Sequence, residues 1–166
     1  ASTKGGTTLV IIDTSISMAI VDRNQSNTRL ERARQQIRDL ITSKGPREKV
    51  ALIGMAEQAY LISGVSTDSI TLLKSLENIA ITGAKANISD ALMVAENIAR
   101  TQEEASLVII SDGLFDDSEQ GVSFPVSYLP LGDSPVENLA IENMLIDQSR
   151  LYLSVHNNGS IHSRGK

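Results

Sequence analysis

The stretch LVIIDTSISM, residues 9–18, contains the transition on which the fold of this chain depends. Its apolar residues are continuous rather than alternating, which predicts a strand over residues 7–12 that is buried on both faces. An aspartate and two alternating serines follow at once, at Asp13, Ser15 and Ser17. In an extended turn these three side chains would point to one side. The stretch is therefore either ordinary turn chemistry or one wall of a metal site.

Strand and helix patterns alternate along the chain. Apolar runs predict three further strands, at residues 50–53, 107–110 and 126–131. Apolar residues at three- and four-residue spacing predict three helices, within residues 30–41, 70–76 and 88–99. Residues 59–65 follow a strand after a very short connection, so we expect an antiparallel edge strand there. This order predicts an α/β fold, a Rossmann-like three-layer α/β/α domain with a mostly parallel central sheet.

Composition excludes several classes of protein. The 166 residues are 41% hydrophobic, which suits a domain with its own core. The net charge is −5 and no basic run occurs, so a nucleic acid is not expected as partner. The absence of cysteine excludes disulfides and thiolate metal sites. No apolar run approaches the roughly 20 residues of a membrane span. The chain begins Ala-Ser-Thr, so we expect a piece of a longer protein that reaches a membrane only through segments absent here.

The polar residues after two of the strands form a candidate metal site. In open α/β sheets the binding crevice lies beyond the carboxyl ends of the strands. Asp13, Ser15 and Ser17 follow the first strand, and Asp112 follows the strand at 107–110, so the two carboxylates meet if these strands are neighbours. Four oxygen ligands suit Mg²⁺, Mn²⁺ or Ca²⁺ and do not suit zinc or copper. With only two negative charges, the ion would remain able to take a carboxylate from a partner.

Five segments together resemble a known family. The chain is similar to the von Willebrand factor A (vWA) domain from about residue 7 to 132, and among its members to the bacterial membrane-associated, Bat-like proteins. The resemblance lies in LVIIDTSISM, RLERARQQI, KVALIGMAEQAYLI, NISDALMVAENIA and LVIISDG. It implies the Rossmann-like fold, the binding of proteins, and a metal-ion-dependent adhesion site. In that site Asp13, Ser15 and Ser17 would form the first arm, and Asp112 would take the later aspartate position.

One position departs from the pattern of this family. The family site also uses a threonine just before a helix, and aligning the stretch NISDAL puts Ala86 at that position. A methyl group cannot bind an ion. Thr82, Asn87 and Ser89 are the candidate substitutes, although none has the expected register. Because water can fill a vacant position in an octahedral shell, we interpret the site as a partial one.

The pattern changes after residue 132. We predict a vWA domain at residues 1–132 and a β tail at residues 133–166 that resembles the start of an Ig-like domain. Alternating apolar residues predict strands near 137–141 and 151–155. So short a tail would dock on the first domain, be disordered, or pair with another molecule.

Three functions follow from these patterns. The first is a non-enzymatic protein-interaction module on the extracytoplasmic side of a bacterial envelope protein. It would bind a divalent cation, Mg²⁺ before Mn²⁺ or Ca²⁺, and an acidic side chain of its partner, with specificity from the loops at 18–28, 83–87 and 114–122. The second is a metal-independent vWA scaffold in a membrane-associated complex. The third is a phosphate-ester hydrolase using Asp13, but the phosphate loop and the second acid expected of such enzymes are missing.

Overall fold

Eight strands and three helices make up the described part of the chain. The structure, a computed structural model, describes residues 5–113, 121–131, 139–147 and 150–157. The strands are β1 (Thr7–Asp13), β2 (Lys49–Met55), β3 (Ala59–Ser66), β4 (Ala105–Ser111), β5 (Gly121–Val122), β6 (Val126–Pro130), β7 (Leu139–Asp147) and β8 (Arg150–Asn157). The helices are α1 (Arg29–Ser43), α2 (Ser69–Glu77) and α3 (Ile88–Ala99), with one turn of 3-10 helix at Ile16–Ala19.

Strand β1 lies at the centre of a five-stranded sheet with the order β3-β2-β1-β4-β6. It pairs in parallel with β2 and β4, so that Ile11 lies opposite Ile53 on one side and Ile109 on the other. Strand β6 continues the parallel pairing, and β3 lies antiparallel to β2 at the edge. The predicted mostly parallel sheet with one antiparallel edge strand is confirmed.

Each face of β1 packs against helices. Leu9 and Ile11 belong to a buried cluster on the face covered by α3. Val10 and Ile12 belong to a second cluster on the face covered by α1 and α2. Both faces of the strand are therefore shielded from solvent, which explains why its apolar residues are continuous. The three-layer architecture is confirmed.

The start of α1 is fixed beside the carboxyl end of the sheet. The Thr28 hydroxyl accepts a hydrogen bond from the Glu31 N–H, and the Glu31 carboxylate accepts one from the Thr28 N–H, which completes a capping box. The backbone N–H of Arg29 also donates to the carbonyl of Ile20 at 2.9 Å. The first residue of the helix is thereby placed next to the loop that follows β1.

A smaller sheet of three strands has the order β5-β8-β7. The alternating pattern of the tail predicted strands near 137–141 and 151–155, and the structure has strands at Leu139–Asp147 and Arg150–Asn157. These two strands, β7 and β8, pair in antiparallel fashion, which the pattern did not predict. Strand β8 also pairs with β5, through Gly121 and Val122. The tail thus adds to a strand that precedes β6 in the chain. The division of the chain at residue 132 stays a prediction.

Gly54 in β2 lies under the ring of Tyr60, and we expect Gly54→Ala to lower the free energy of unfolding by about 1–2 kcal/mol. A Cβ atom at this position would overlap the ring atoms of Tyr60. The ring would have to move, and its hydroxyl would lose the 3.1 Å hydrogen bond to Thr14 Oγ1. Urea unfolding measures the loss. Gly64→Ala in β3 is the matched control, because its nearest neighbour is Leu61 Cδ2 at 4.0 Å. Equal stability changes in the two variants would contradict the prediction.

Candidate functional site

The carboxyl ends of β1 and β4 bring two distant segments into contact. Asp13 is the last residue of β1 and Ser111 is the last residue of β4, and these strands are parallel neighbours. The Ser111 hydroxyl donates a hydrogen bond of 2.6 Å to Asp13 Oδ2. Asp112 follows directly in the chain. The structure therefore places Asp13 and the 111–113 turn at one crevice, where open α/β sheets bind ligands.

The other oxygen of Asp13 organises the segment that follows β1. Asp13 Oδ1 accepts hydrogen bonds from the Ser15 N–H at 2.8 Å and from Ser15 Oγ at 2.6 Å. The hydroxyl oxygens of Ser15 and Ser17 are 3.2 Å apart. Asp13, Ser15 and Ser17 thus form a connected row of oxygens, as the serine spacing suggested.

We predicted that these three side chains would share one side of an extended segment. This prediction was wrong, because the segment after Asp13 is not extended. Ile16–Ala19 forms a turn of 3-10 helix, in which the Met18 N–H donates to the carbonyl of Ser15 at 3.0 Å. The fully buried side chain of Met18 anchors this turn in the core. The carboxylate of Asp13 also binds a backbone N–H two residues ahead, a local bond that favours a turn over a strand. Ser17 therefore comes close to Ser15 by chain reversal, not by alternation.

Burial disfavours the ionised form of the Asp13 carboxyl group. Its side chain is fully buried, and this burial raises the pKa of its carboxyl above the ordinary value. Hydrogen bonds from Ser111 and Ser15 oppose the rise in pKa, and the nearby charge of Asp112 adds to it. Within the described residues, the ion pairs involve other acids and none involves Asp13. A cation at this site would offset the cost of an ionised Asp13.

A basic residue that the sequence patterns did not reveal contacts the same crevice. Nη1 of Arg29 donates to Asp112 Oδ2 at 2.9 Å, and its Nη2 donates to Asp22 Oδ1 at 2.6 Å. Arg32 contacts the second oxygen of Asp22. The hydrogen bonds from Arg29 hold the pKa of Asp22 below its ordinary value. In turn, the bonds that Arg29 makes to Asp22 and then to Asp112 raise the pKa of its guanidinium. The sequence did contain one indication of this contact. A cation in the first turn of a helix is disfavoured by the helix dipole, so Arg29 would be expected to need an acidic partner.

The residues proposed to replace the missing threonine occupy three different surroundings. Ala86 is buried in the cluster beneath α3 and offers no oxygen. Asn87 Oδ1 accepts the Asp90 N–H at 3.1 Å and so caps α3. Ser89 lies in the first turn of that helix. Thr82 lies nearer the site, since its hydroxyl is 2.7 Å from that of Thr14.

The loop that contains Thr82 is fixed against the end of β1. The Thr82 N–H donates to the carbonyl of Thr14 at 3.0 Å, and Gly83 bridges to Ser15. Thr82 therefore borders the Asp13 segment through Thr14. The hydrogen bonds described for its hydroxyl do not reach Asp13 itself.

The donor set fits a hard divalent cation. In an octahedral shell with ligands at about 2.1 Å, neighbouring oxygens lie about 3 Å apart. The spacings of 2.6 Å from Asp13 Oδ1 to Ser15 Oγ and 3.2 Å from Ser15 Oγ to Ser17 Oγ are close to this value. All donors are carboxylate or hydroxyl oxygens, the type that Mg²⁺, Mn²⁺ and Ca²⁺ prefer. Among the described residues, no group of three or more His, Asp or Glu side chains is placed to hold a metal.

Two further features of the sequence lie wholly or mostly outside the described residues. The acidic run Asp116-Asp117-Ser118-Glu119 and most of the predicted specificity loop at 114–122 lie outside the described residues. In the parts of the chain that the structure describes, none of the helices is long and apolar enough to cross a bilayer.

This fold is that of a known protein class, and the chain belongs to it. The family model for the von Willebrand factor type A domain matches residues 8–114, so the chain is a member of the vWA family. The match includes Asp13, Ser15, Ser17 and Asp112. No curated protein matches the chain by sequence.

Solved structures of Bat-like proteins and of a pilus-tip protein share this fold. BatB, a conserved hypothetical protein from Bacteroides thetaiotaomicron, is 22% identical with a TM-score of 0.65, and the match covers 93% of this chain and 82% of that one. An aerotolerance-related membrane protein from Bacteroides fragilis is 22% identical with a TM-score of 0.64, covering 93% and 83%. The vWF domain of the type V pili tip protein Mfa5 from Porphyromonas gingivalis is 20% identical with a TM-score of 0.58, covering 70% and 40%. The expected resemblance to Bat-like vWA proteins is confirmed.

Proposed function

We propose that this vWA domain is a non-enzymatic protein-interaction module of a bacterial envelope protein, and that its crevice holds a divalent cation, Mg²⁺ first. Asp13, Ser15, Ser17 and Asp112 would hold the ion directly or through water. When bound, the ion supplies a positive centre that an acidic side chain of the partner can contact. The similarity to a membrane protein and to a pilus-tip domain supports the location and the binding role.

One observation carries this proposal: a fully buried carboxylate that receives three hydrogen bonds but forms no ion pair within the described residues. Burying an ionised carboxylate is costly unless a cation compensates it. Asp13 lies at the crevice with two serine hydroxyls beside it, so its surroundings favour a ligand of positive charge.

The cation is tested by calorimetric titration of Mg²⁺, Mn²⁺ and Ca²⁺ into chelator-treated protein. We expect saturable binding with a dissociation constant of about 0.1–1 mM, as for weak oxygen-ligand sites. Asp13→Ala should abolish it because a central ligand is lost. Asp39→Ala is the matched control: it removes the same charge from the exposed face of α1 and should leave binding unchanged. Absence of heat at about 10 mM ion, with an unchanged melting temperature, would contradict the proposal.

A second candidate, the metal-independent scaffold, is favoured by one observation. Arg29 already supplies a positive charge to Asp112, and Ala86 supplies no ligand. In that case the crevice would be stable and binding-competent without metal, and a chelator would not affect partner binding. The titration above separates the two candidates.

The phosphate-ester hydrolase finds little support in the sequence. Position 15, where such an enzyme would be expected to carry a second acid, is a serine, and the chain has no Gly-rich phosphate loop. Members of the vWA family are generally interaction and adhesion modules.

A further inference from the structure

The guanidinium of Arg29 joins the proposed cation site to Asp22, an acidic residue outside that site. One nitrogen, Nη1, contacts Asp112, while Nε and Nη2 contact Asp22 at 3.0 and 2.6 Å. The side chains of Arg29, Asp22 and Asp112 are 14%, 4% and 1% exposed. A guanidinium held by two nearly buried carboxylates is a fixed charge, because its planar fork leaves little freedom once both acids are bound.

The position of Arg29 in its helix makes this contact informative. It is the first residue of α1, where the positive end of the helix dipole disfavours a cation. The two carboxylates overcome this disadvantage. Arg29 therefore places a positive charge next to Asp112, one of the acids proposed to hold the ion.

We propose that Arg29 is a positioning residue that serves as the built-in counter-ion of Asp112. It keeps the Asp112 side of the crevice assembled without metal, and its charge sets how strongly the crevice binds a divalent cation. The second half of this inference rests on the proposed cation site, whereas the first half does not. A direct consequence is that removal of this charge strengthens cation binding.

Arg32 offers a matched control for this role. It contacts Asp22, as Arg29 does, and its described ion pairs do not include Asp112. Arg29→Gln and Arg32→Gln therefore remove the same charge and both weaken the Asp22 cluster, and they differ in the contact with Asp112. Arg29→Lys keeps the charge but loses the fork, which separates the effect of charge from that of geometry.

The counter-ion role is tested first in the presence of a chelator. A double-mutant cycle with Arg29→Gln and Asp112→Asn is measured by urea unfolding. We expect the two residues to be coupled by at least about fivefold in the folding equilibrium constant. Arg32→Gln with Asp112→Asn should give coupling near zero. Equal coupling in both cycles would overturn the counter-ion role.

The effect on affinity is tested by titrating Mn²⁺ into the folded variants. We expect Arg29→Gln to bind about tenfold more tightly than the unsubstituted protein, since a nearby positive charge is lost. Arg32→Gln should change affinity less than about threefold, and Arg29→Lys should stay near the original value. Equal affinities for Arg29→Gln and Arg32→Gln would overturn the second half of the inference. If no variant bound any cation, the proposed cation site would fail, and the chelator experiment would still decide the counter-ion role.

Discussion

Replacing Ile11 by alanine is expected to lower the free energy of unfolding by about 3–4 kcal/mol. Ile11 is fully buried in the central strand, between Ile53 and Ile109, and it packs in the cluster beneath α3. Its neighbours belong to two strands and a helix, so the structure cannot collapse into the space that the lost side-chain atoms leave. Urea or guanidinium unfolding monitored by far-UV circular dichroism measures this change.

Ile16→Ala is the control for this substitution. Ile16 has the same side chain and lies only five residues away, but it is 58% exposed. Its replacement should change stability by less than about 0.5 kcal/mol. A loss at Ile11 as small as that at Ile16 would mean that β1 is not the packed centre of the sheet.

Asp22→Asn is expected to lower the free energy of unfolding by about 2–3 kcal/mol near neutral pH. The carboxylate of Asp22 accepts bonds from both Arg29 and Arg32, and its side chain is 4% exposed. An amide would turn a donor group toward the guanidinium groups, so Arg32 would lose the ion pair described for it and Arg29 would keep only its bond to Asp112. Asp39→Asn on the exposed face of α1 is the control, because its contact is a single exposed bond from Gln35. Comparable losses in both variants would contradict the prediction.

The loss caused by Asp22→Asn should depend on pH in one direction. Arg29 holds the pKa of Asp22 below its ordinary value in the folded protein. A lowered pKa means that the unfolded chain binds the proton first, so the stabilisation is present above about pH 4 and fades as the pH falls further. The stability difference between the unsubstituted protein and Asp22→Asn should therefore be constant between pH 6 and 8 and shrink below about pH 4. A difference that grows on acidification would show that Asp22 is not held ionised by Arg29.

Local patterns predicted the elements of the sheet because each pattern reports burial within one segment. The continuous apolar run of β1 indicated a strand covered on both sides, and Leu9 to Ile12 are fully buried. The short connection after β2 indicated an antiparallel edge strand, which is β3. The oxygen-bearing residues after β1 and β4 were also visible in the sequence. Their place at one crevice follows from general rules for parallel sheets.

The conformation after Asp13 was harder to predict, because two local preferences compete there. Alternating small polar residues are compatible with an extended segment, whereas an aspartate followed by serine also favours a turn. The turn prevails because the side chain of Met18 is buried in the core, which requires the chain to turn at Ile16–Ala19. The decisive factor is a tertiary contact, which the spacing of Asp13, Ser15 and Ser17 does not contain.

The sequence by itself determined the strands and helices, their order, the vWA-type pattern and the oxygen donors at the ends of β1 and β4. The tertiary structure alone decided which groups surround those donors. Ser111 reaches Asp13 across 98 residues of chain, and Arg29 reaches Asp112 across 83. Such contacts depend on which strands become neighbours and where a helix begins above them. No periodicity within a segment encodes them, because hydrophobic patterning specifies which face is buried and not which distant side chain will meet it.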